Sequence, residues 1–210
     1  MIHTDRTQSL IAELIETGAK SVERGLALAS GGNLSARLDD DTFAVTGAGT
    51  FLDKLTFDQF SIMNLDGEVV GGHPQPSSEW KLHQRSYQER PDIHAVVHVH
   101  PQHAVLLEAL GHKVRLFTLD HAYYVRSIGV TPYYPNGSDE LADSAAKQAL
   151  EHNCIIMGNH GCSALGEDIA MAFRRALNLE EAATATYRAL LLGDTTTAMS
   201  AEHFAALHHA

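Results

Sequence analysis

Ile93-His94-Ala95-Val96-Val97-His98-Val99-His100-Pro101 is the stretch on which the reading of the fold turns. Val96, Val97 and Val99 are β-branched and suit a pleated, half-buried backbone, so Ile93 to His100 reads as a strand. Both flanks are helical. Upstream, Ser77-Ser78 precedes Glu79-Trp80-Lys81-Leu82-His83 as a helix start, and Pro91 must end that helix because it has no N–H to give. Downstream, Pro101 opens a short helix that Gly111 closes.

The same reading extends to both ends of the chain. Leu10, Ile11, Leu14, Ile15, Ala19, Val22 and Leu26 recur at amphipathic spacing and predict a helix from Thr7 to Leu28, within an N-terminal helical segment 1–28 that Ser30-Gly31-Gly32-Asn33 breaks. Thr42 to Thr46 and Phe60 to Leu65 read as strands. Asp66-Gly67 before Glu68-Val69-Val70 signals a hairpin with a type I′ turn, which needs positive φ at both central residues. Ser138 caps a helix with Asp139 and Glu140 in its first turn and Leu141, Ala145, Ala149 and Leu150 on one face. Cys154 to Met157 is a buried-strand pattern entering Gly158-Asn159-His160-Gly161. Asp168 to Leu192 is a long Ala- and Leu-rich helix ending at Gly193, before a tail over 194–210. This mixture, without repeats, predicts one domain over 1–210 of α+β or mixed α/β class, with a substantially antiparallel sheet.

Composition supports one core. A chain of 210 residues buries about 70% of its extended surface, enough to fold without disulfides. The hydrophobic fraction of 44% and charged fraction of 20% are those of a soluble globular protein, with no run resembling a membrane span. Fifteen Lys and Arg against 26 Asp and Glu leave a formal charge of −11, the wrong sign for holding nucleic acid. The polar opening Met1 to Leu10 has no secretory pattern and cysteine is scarce, so the cytoplasm is the expected location.

Where the 14 histidines fall carries the chemistry. In a strand, residues i and i+2 share a face, so His98 and His100 project side by side at a separation suited to one metal ion. His160, in a turn at a strand end, offers a third nitrogen, and three histidines with an open position describe a catalytic zinc site. The competing reading is of two solvated histidines alternating on an edge strand. Glu79 at a helix start can serve an anion site or be an ordinary acid in the first turn. Ser30-Gly31-Gly32-Asn33 and Thr46-Gly47-Ala48-Gly49 are loops whose backbone a phosphate can approach, or plain helix stops and turns. Cys162 reads as a packed thiol rather than a fourth ligand. His121, Tyr123 and Tyr124 read as a half-exposed polar aromatic cluster.

Taken in chain order, Gly32-Asn33-Leu34-Ser35, Thr46-Gly47-Ala48-Gly49, Pro76-Ser77-Ser78-Glu79-Trp80, His98-Val99-His100-Pro101 and Asn159-His160-Gly161 resemble the class II aldolase/adducin family. The resemblance runs from about Gly31 to Gly193. It implies a three-layer fold with a central, mainly antiparallel sheet between helices, a bound zinc or related divalent ion, and a cyclic homotetramer. By the same resemblance His98, His100 and His160 are the metal ligands. Glu79 is the catalytic acid/base, which can also approach the metal and is expected to have a pKa raised by desolvation. Asn33, Gly49, Ser77 and Ser78 form a phosphate cradle. The implied reaction is reversible cleavage of a ketose 1-phosphate to dihydroxyacetone phosphate and a small aldehyde, through an enediolate. Relatives with the same site decarboxylate, dehydrate or epimerise related sugar phosphates, although the epimerases carry Asp where Glu79 stands. The adducin branch is a metal-free interaction module. Two departures stand out: Ala48 removes a hydroxyl from the cradle, and the tail from Thr195 to Ala210 has no tyrosine, its His203, His208 and His209 reading as a solvated end.

Overall fold

The computed structural model describes residues 5–207; the first four residues of the expected N-terminal helix, together with His208 and His209, lie outside them. Eight strands form one sheet in the order β4-β3-β2-β1-β5-β8-β7-β6. They are β1 (Asn33–Arg37), β2 (Thr42–Thr46), β3 (Phe60–Asn64), β4 (Val69–Gly72), β5 (Ala95–Val99), β6 (Ile128–Thr131), β7 (Cys154–Met157) and β8 (Gly161–Gly166). Every neighbouring pair is antiparallel except β6 with β7. The stretch from Ile93 to Pro101 supplies β5, paired on both sides, with Val97 opposite Leu34 of β1 and Ala164 of β8.

The helices divide between the two faces. On one lie α1 (Asp5–Glu23), α3 (Gln102–Ala109) and α5 (Ile169–Leu191), whose Ile11, Leu14, Ala104, Leu107, Ile169 and Leu179 pack with Leu34, Ala95, Val97 and Val99. On the other lie α2 (Trp80–Glu89) and α4 (Asp139–Ala149), whose Leu82, Tyr87, Leu141, Ala145 and Ala149 pack with Val96, Ile155 and Leu165. Alternation along β5 produces this division: Ala95, Val97 and Val99 face one core, Val96 and His98 the other. The arrangement is a three-layer α/β fold with a mainly antiparallel sheet, as the resemblance implied.

Local differences from the sequence reading have local causes. α1 stops at Glu23 rather than near Leu28, because the N–H of Leu26 reaches back to the Ser21 carbonyl at 2.9 Å around Gly25, whose φ is 73°. The Asp66-Gly67 hairpin forms, but its turn is not type I′. Only Gly67 has positive φ, and the Gly67 N–H bonds the Asn64 carbonyl at 3.1 Å, giving a three-residue loop that ends in a left-handed glycine. Glu79 is the N-cap of α2 rather than a first-turn residue, and its side chain caps nothing. Strands β1 and β6 carry no strand signal in the sequence reading. In β1 all five residues are buried, since α2 covers the polar side of Asn33-Leu34-Ser35-Ala36-Arg37. The tail forms a short helix, α6 (Ala201–Ala205), capped by Ser200.

Leu179 is wholly buried between α5 and the sheet. Leu179→Ala is expected to lower unfolding stability by about 2–5 kcal/mol, measured by chemical denaturation, while leaving metal uptake intact because the site lies on the opposite face.

Candidate metal centre and anion hollow

His98 stands at the end of β5 on the α2 face, and His100 follows it after one residue in the loop before α3. His160 arrives from the β7–β8 turn. That turn is held by Asn159, in a left-handed conformation at φ 53°, whose N–H donates to Glu108 Oε2 at 3.1 Å. Glu79 points in from the head of α2. One donor atom from each of Glu79, His98, His100 and His160 lies within 4.8 Å of the others.

Glu79 Oε2 is 3.1 Å from His98 Nε2, and Oε1 is 3.1 Å from His160 Nε2. His100 Nε2 is 3.2 Å from His98 Nε2. His98 Nδ1 donates to the Cys162 carbonyl at 3.0 Å, so in the neutral ring Nε2 carries a bare lone pair. That lone pair faces a carboxylate oxygen and a second imidazole nitrogen inside a buried site. The bare His98 nitrogen and the facing carboxylate oxygen are both acceptors, and they repel unless a proton or a cation sits between them. The donor set of three imidazoles and a carboxylate suits a divalent metal.

Electrostatics runs against one expectation. Burial raises the Glu79 carboxyl pKa, but positive charge where the His98 and His160 rings face it, as a proton or a bound cation supplies, outweighs burial and lowers it. The expected raised pKa is not found, because desolvation is opposed by two imidazoles at contact distance. His100 is pushed down to about 4 by burial and then by His98 and His160, which keeps its nitrogen available to a metal.

Beside the cluster opens a polar hollow of about 230 Å³. Asn33, Gly49, Ser77 and Ser78 line it together, with Glu79 and His100 on one side. Ser77 is held by its N–H to the Thr46 carbonyl at 2.9 Å, and its Oγ accepts from the Glu79 N–H at 3.3 Å. Both ends of the Asn33 amide are already engaged, Nδ2 donating to Glu79 Oε2 at 3.0 Å and Oδ1 meeting His83 Nε2. Ala48 contributes no hydroxyl, yet Thr50 brings one to the same rim, donating to the Gly47 carbonyl at 2.9 Å. Asn136, from the loop before α4, also reaches the hollow; its only sequence signal was an Asn-Gly turn ahead of the Ser138 cap.

Other sequence candidates lie elsewhere. Cys162 is a fully buried core thiol that serves the site through its carbonyl rather than its sulfur. His121 is not half-exposed: it is 1% exposed, accepts from the Phe117 N–H at 3.2 Å and pairs with Glu181, because a turn of π-helix over His121–Val125 carries it inward. His83, which sequence reading left as an ordinary helical residue, is wholly buried behind Asn33.

Two outcomes test this geometry. A Cβ on Gly161 would stand 2.5 Å from His100 Cδ2 and 2.7 Å from the Val99 carbonyl. Gly161→Ala should therefore displace His100 and weaken metal affinity at least about tenfold in chelator competition, the range seen when a ligand's support is disturbed, while the fold persists. His83 is pushed down to about 3 by burial. A neutral folded His83 and a protonated unfolded one mean that the unfolded chain binds the extra proton between about pH 3 and 6.5. Stability contributed by His83 is thus complete above that window and lost as pH falls through it. Metal-free protein should lose up to about 1.4 kcal/mol per pH unit from this residue, and His83→Leu should flatten the slope of unfolding free energy against pH by that share.

Comparison with known proteins converges on one family. The chain is 33% identical over 178 residues to the 3-oxo-tetronate 4-phosphate decarboxylase of Haemophilus influenzae, covering 81% of this chain and 83% of that one. It is 34% identical over 180 residues to the L-fuculose phosphate aldolase of Methanocaldococcus jannaschii, covering 86% and 97%. A solved L-fuculose 1-phosphate aldolase superposes with a TM-score of 0.87 at 30% identity, covering 94% of this chain and 93% of that one. The model of the class II aldolase and adducin N-terminal domain matches residues 12–187, across the hollow and every donor of the cluster, and the chain belongs to that family.

Proposed function

We propose that the protein is a zinc-dependent aldolase that cleaves and forms a C–C bond in a ketose 1-phosphate, giving dihydroxyacetone phosphate and a small aldehyde. The observation that carries the reading is a buried Glu79 standing between three imidazoles and a polar hollow. In this reading His98, His100 and His160 hold the metal. A divalent ion bound there supplies Lewis acidity that stabilises negative charge developing on the substrate's carbonyl oxygen. Glu79 takes the proton from the carbon that becomes the nucleophile and returns it in cleavage, a role open to a carboxylate that lines the hollow. Ser77, Ser78, Gly49 and the backbone around Asn33 receive the phosphate, through hydroxyl and N–H donors that offset the chain's overall negative charge. Thr50 supplies a hydroxyl near the place where Ala48 has none.

Similarity to an aldolase and to a decarboxylase at nearly equal identity supports a second reading, loss of carbon dioxide from a keto sugar acid phosphate. The same metal and hollow would serve, with carbon dioxide leaving in place of an aldehyde. Assembly as a homotetramer in the cytoplasm, with one domain spanning the chain, belongs to the same proposal and rests on the family resemblance.

The test is proton exchange. Zinc-loaded protein incubated with dihydroxyacetone phosphate in D₂O should lose one C3 proton signal stereospecifically, and Glu79→Gln should slow that loss by about 10²–10⁴-fold. No exchange in protein shown to hold its metal would reject the aldolase, and carbon dioxide release from a 3-keto acid 4-phosphate would then establish the decarboxylase.

A further inference from the structure

Behind Glu79 runs a buried line of polar side chains that metal ligation and phosphate binding leave unused. Asn33 Nδ2 donates to Glu79 Oε2 at 3.0 Å, and His83 Nε2 meets Asn33 Oδ1. His83 Nδ1 is 2.6 Å from Ser35 Oγ, which is 2.7 Å from the Tyr87 hydroxyl. Asn33, Ser35, His83 and Tyr87 are all buried, His83 and Ser35 completely. The line follows from matched periods. Residues 79, 83 and 87 recur every fourth position at α2, a rise of about 6 Å, while 33 and 35 recur every second position on β1, about 6.6 Å. Helix and strand therefore mesh rung by rung.

We infer that His83 is the positioning residue for Glu79, acting through the Asn33 amide. The direction of each bond follows from the proton inventory. Asn33 turns its NH₂ toward Glu79 Oε2 and its carbonyl toward His83. His83 must then carry its proton on Nε2. Nδ1 is left as an acceptor for the Ser35 hydroxyl, and Ser35 in turn accepts from Tyr87. With the other tautomer, Nε2 would oppose Asn33 Oδ1 with a lone pair, the amide would flip, and its carbonyl would face the Glu79 carboxylate. No carboxylate touches the ring, and burial keeps it neutral. Ser35 and Tyr87 therefore lock the tautomer, the tautomer locks the amide, and the amide aims one oxygen of Glu79.

The catalytic consequence rests on the proposed role of Glu79, so the test has two independent readouts. In metal-free protein with ¹⁵N-labelled histidine, the His83 ring should show a protonated, exchange-protected Nε2 and a bare Nδ1, and Asn33→Ala should remove the protection. A ring protonated at Nδ1 overturns the inference whatever the protein catalyses. In the exchange assay, His83→Leu should lower kcat by about 10²-fold with KM for dihydroxyacetone phosphate nearly unchanged, the scale of a displaced catalytic group. His83→Gln, whose amide nitrogen can stand where Nε2 stood, should recover most of that loss, and adding Asn33→Ala to His83→Leu should cost no more in kcat than either alone. A folded His83→Leu with full kcat, or a His83→Gln no better than it, overturns the positioning role. If His83→Leu does not fold, Asn33→Ala and His83→Gln decide alone. Absence of exchange in metal-loaded wild type counts against the function, while the ring tautomer still decides the linkage.

Discussion

A carboxylate and three imidazole nitrogens crowded into one buried space are the condition on which the rest of this structure depends. The tautomer of His98 is fixed by its bond to the Cys162 carbonyl, so that ring meets the carboxylate with a lone pair and cannot relieve the crowding by turning a proton inward. Such a site is unfavourable by itself and becomes favourable with a cation. The surrounding fold accordingly brings the donors from three places, the end of β5, the β7–β8 turn and the head of α2.

The placement is economical in topology. β5 is central, and pairing on both sides fixes its register, which sends His98 and then His100 to one end of one face. β8 pairs with β5 so that Val99 opposes Cys162, which brings the preceding turn and His160 to the same end. α2 starts at Glu79 over that end, and the loops after β2 and before β1 close the hollow beside it. Apolar packing on both faces supplies the stability, while the polar seam between α2 and β1 supplies direction. A buried seam of this kind costs desolvation and returns it through pairing, which here runs from Tyr87 to Oε2 of Glu79 and leaves Oε1 without a hydrogen-bond partner.

Much of this was legible in the chain. The valines of β5, the Pro91 and Pro101 boundaries, the cap at Ser138, the Gly193 end of the long helix and the His-x-His pair are local signals, set by side-chain shape and backbone hydrogen bonding within a few residues. β1 was not legible, because it follows a Gly-Gly helix stop and its polar residues resemble a solvated loop; only α2 lying over them makes them interior. His83 was hidden for the same reason, as one histidine on a helix says nothing of the strand beneath it. The Asp66-Gly67 turn type and the burial of His121 depended on neighbours distant in sequence. The raised pKa expected for Glu79 counted burial without the two imidazoles that face it.

By itself the sequence determined most of the elements and the mixed class, because periodicity and caps act within one element at a time, and its short motifs taken in chain order marked the family and the four residues that converge. Tertiary structure alone decided which way each donor faces, which oxygen of Glu79 meets which ring, and that an asparagine and a histidine stand behind it. Those are angles and proton directions between elements, fixed when helix and strand pack together, and no local spacing encodes them.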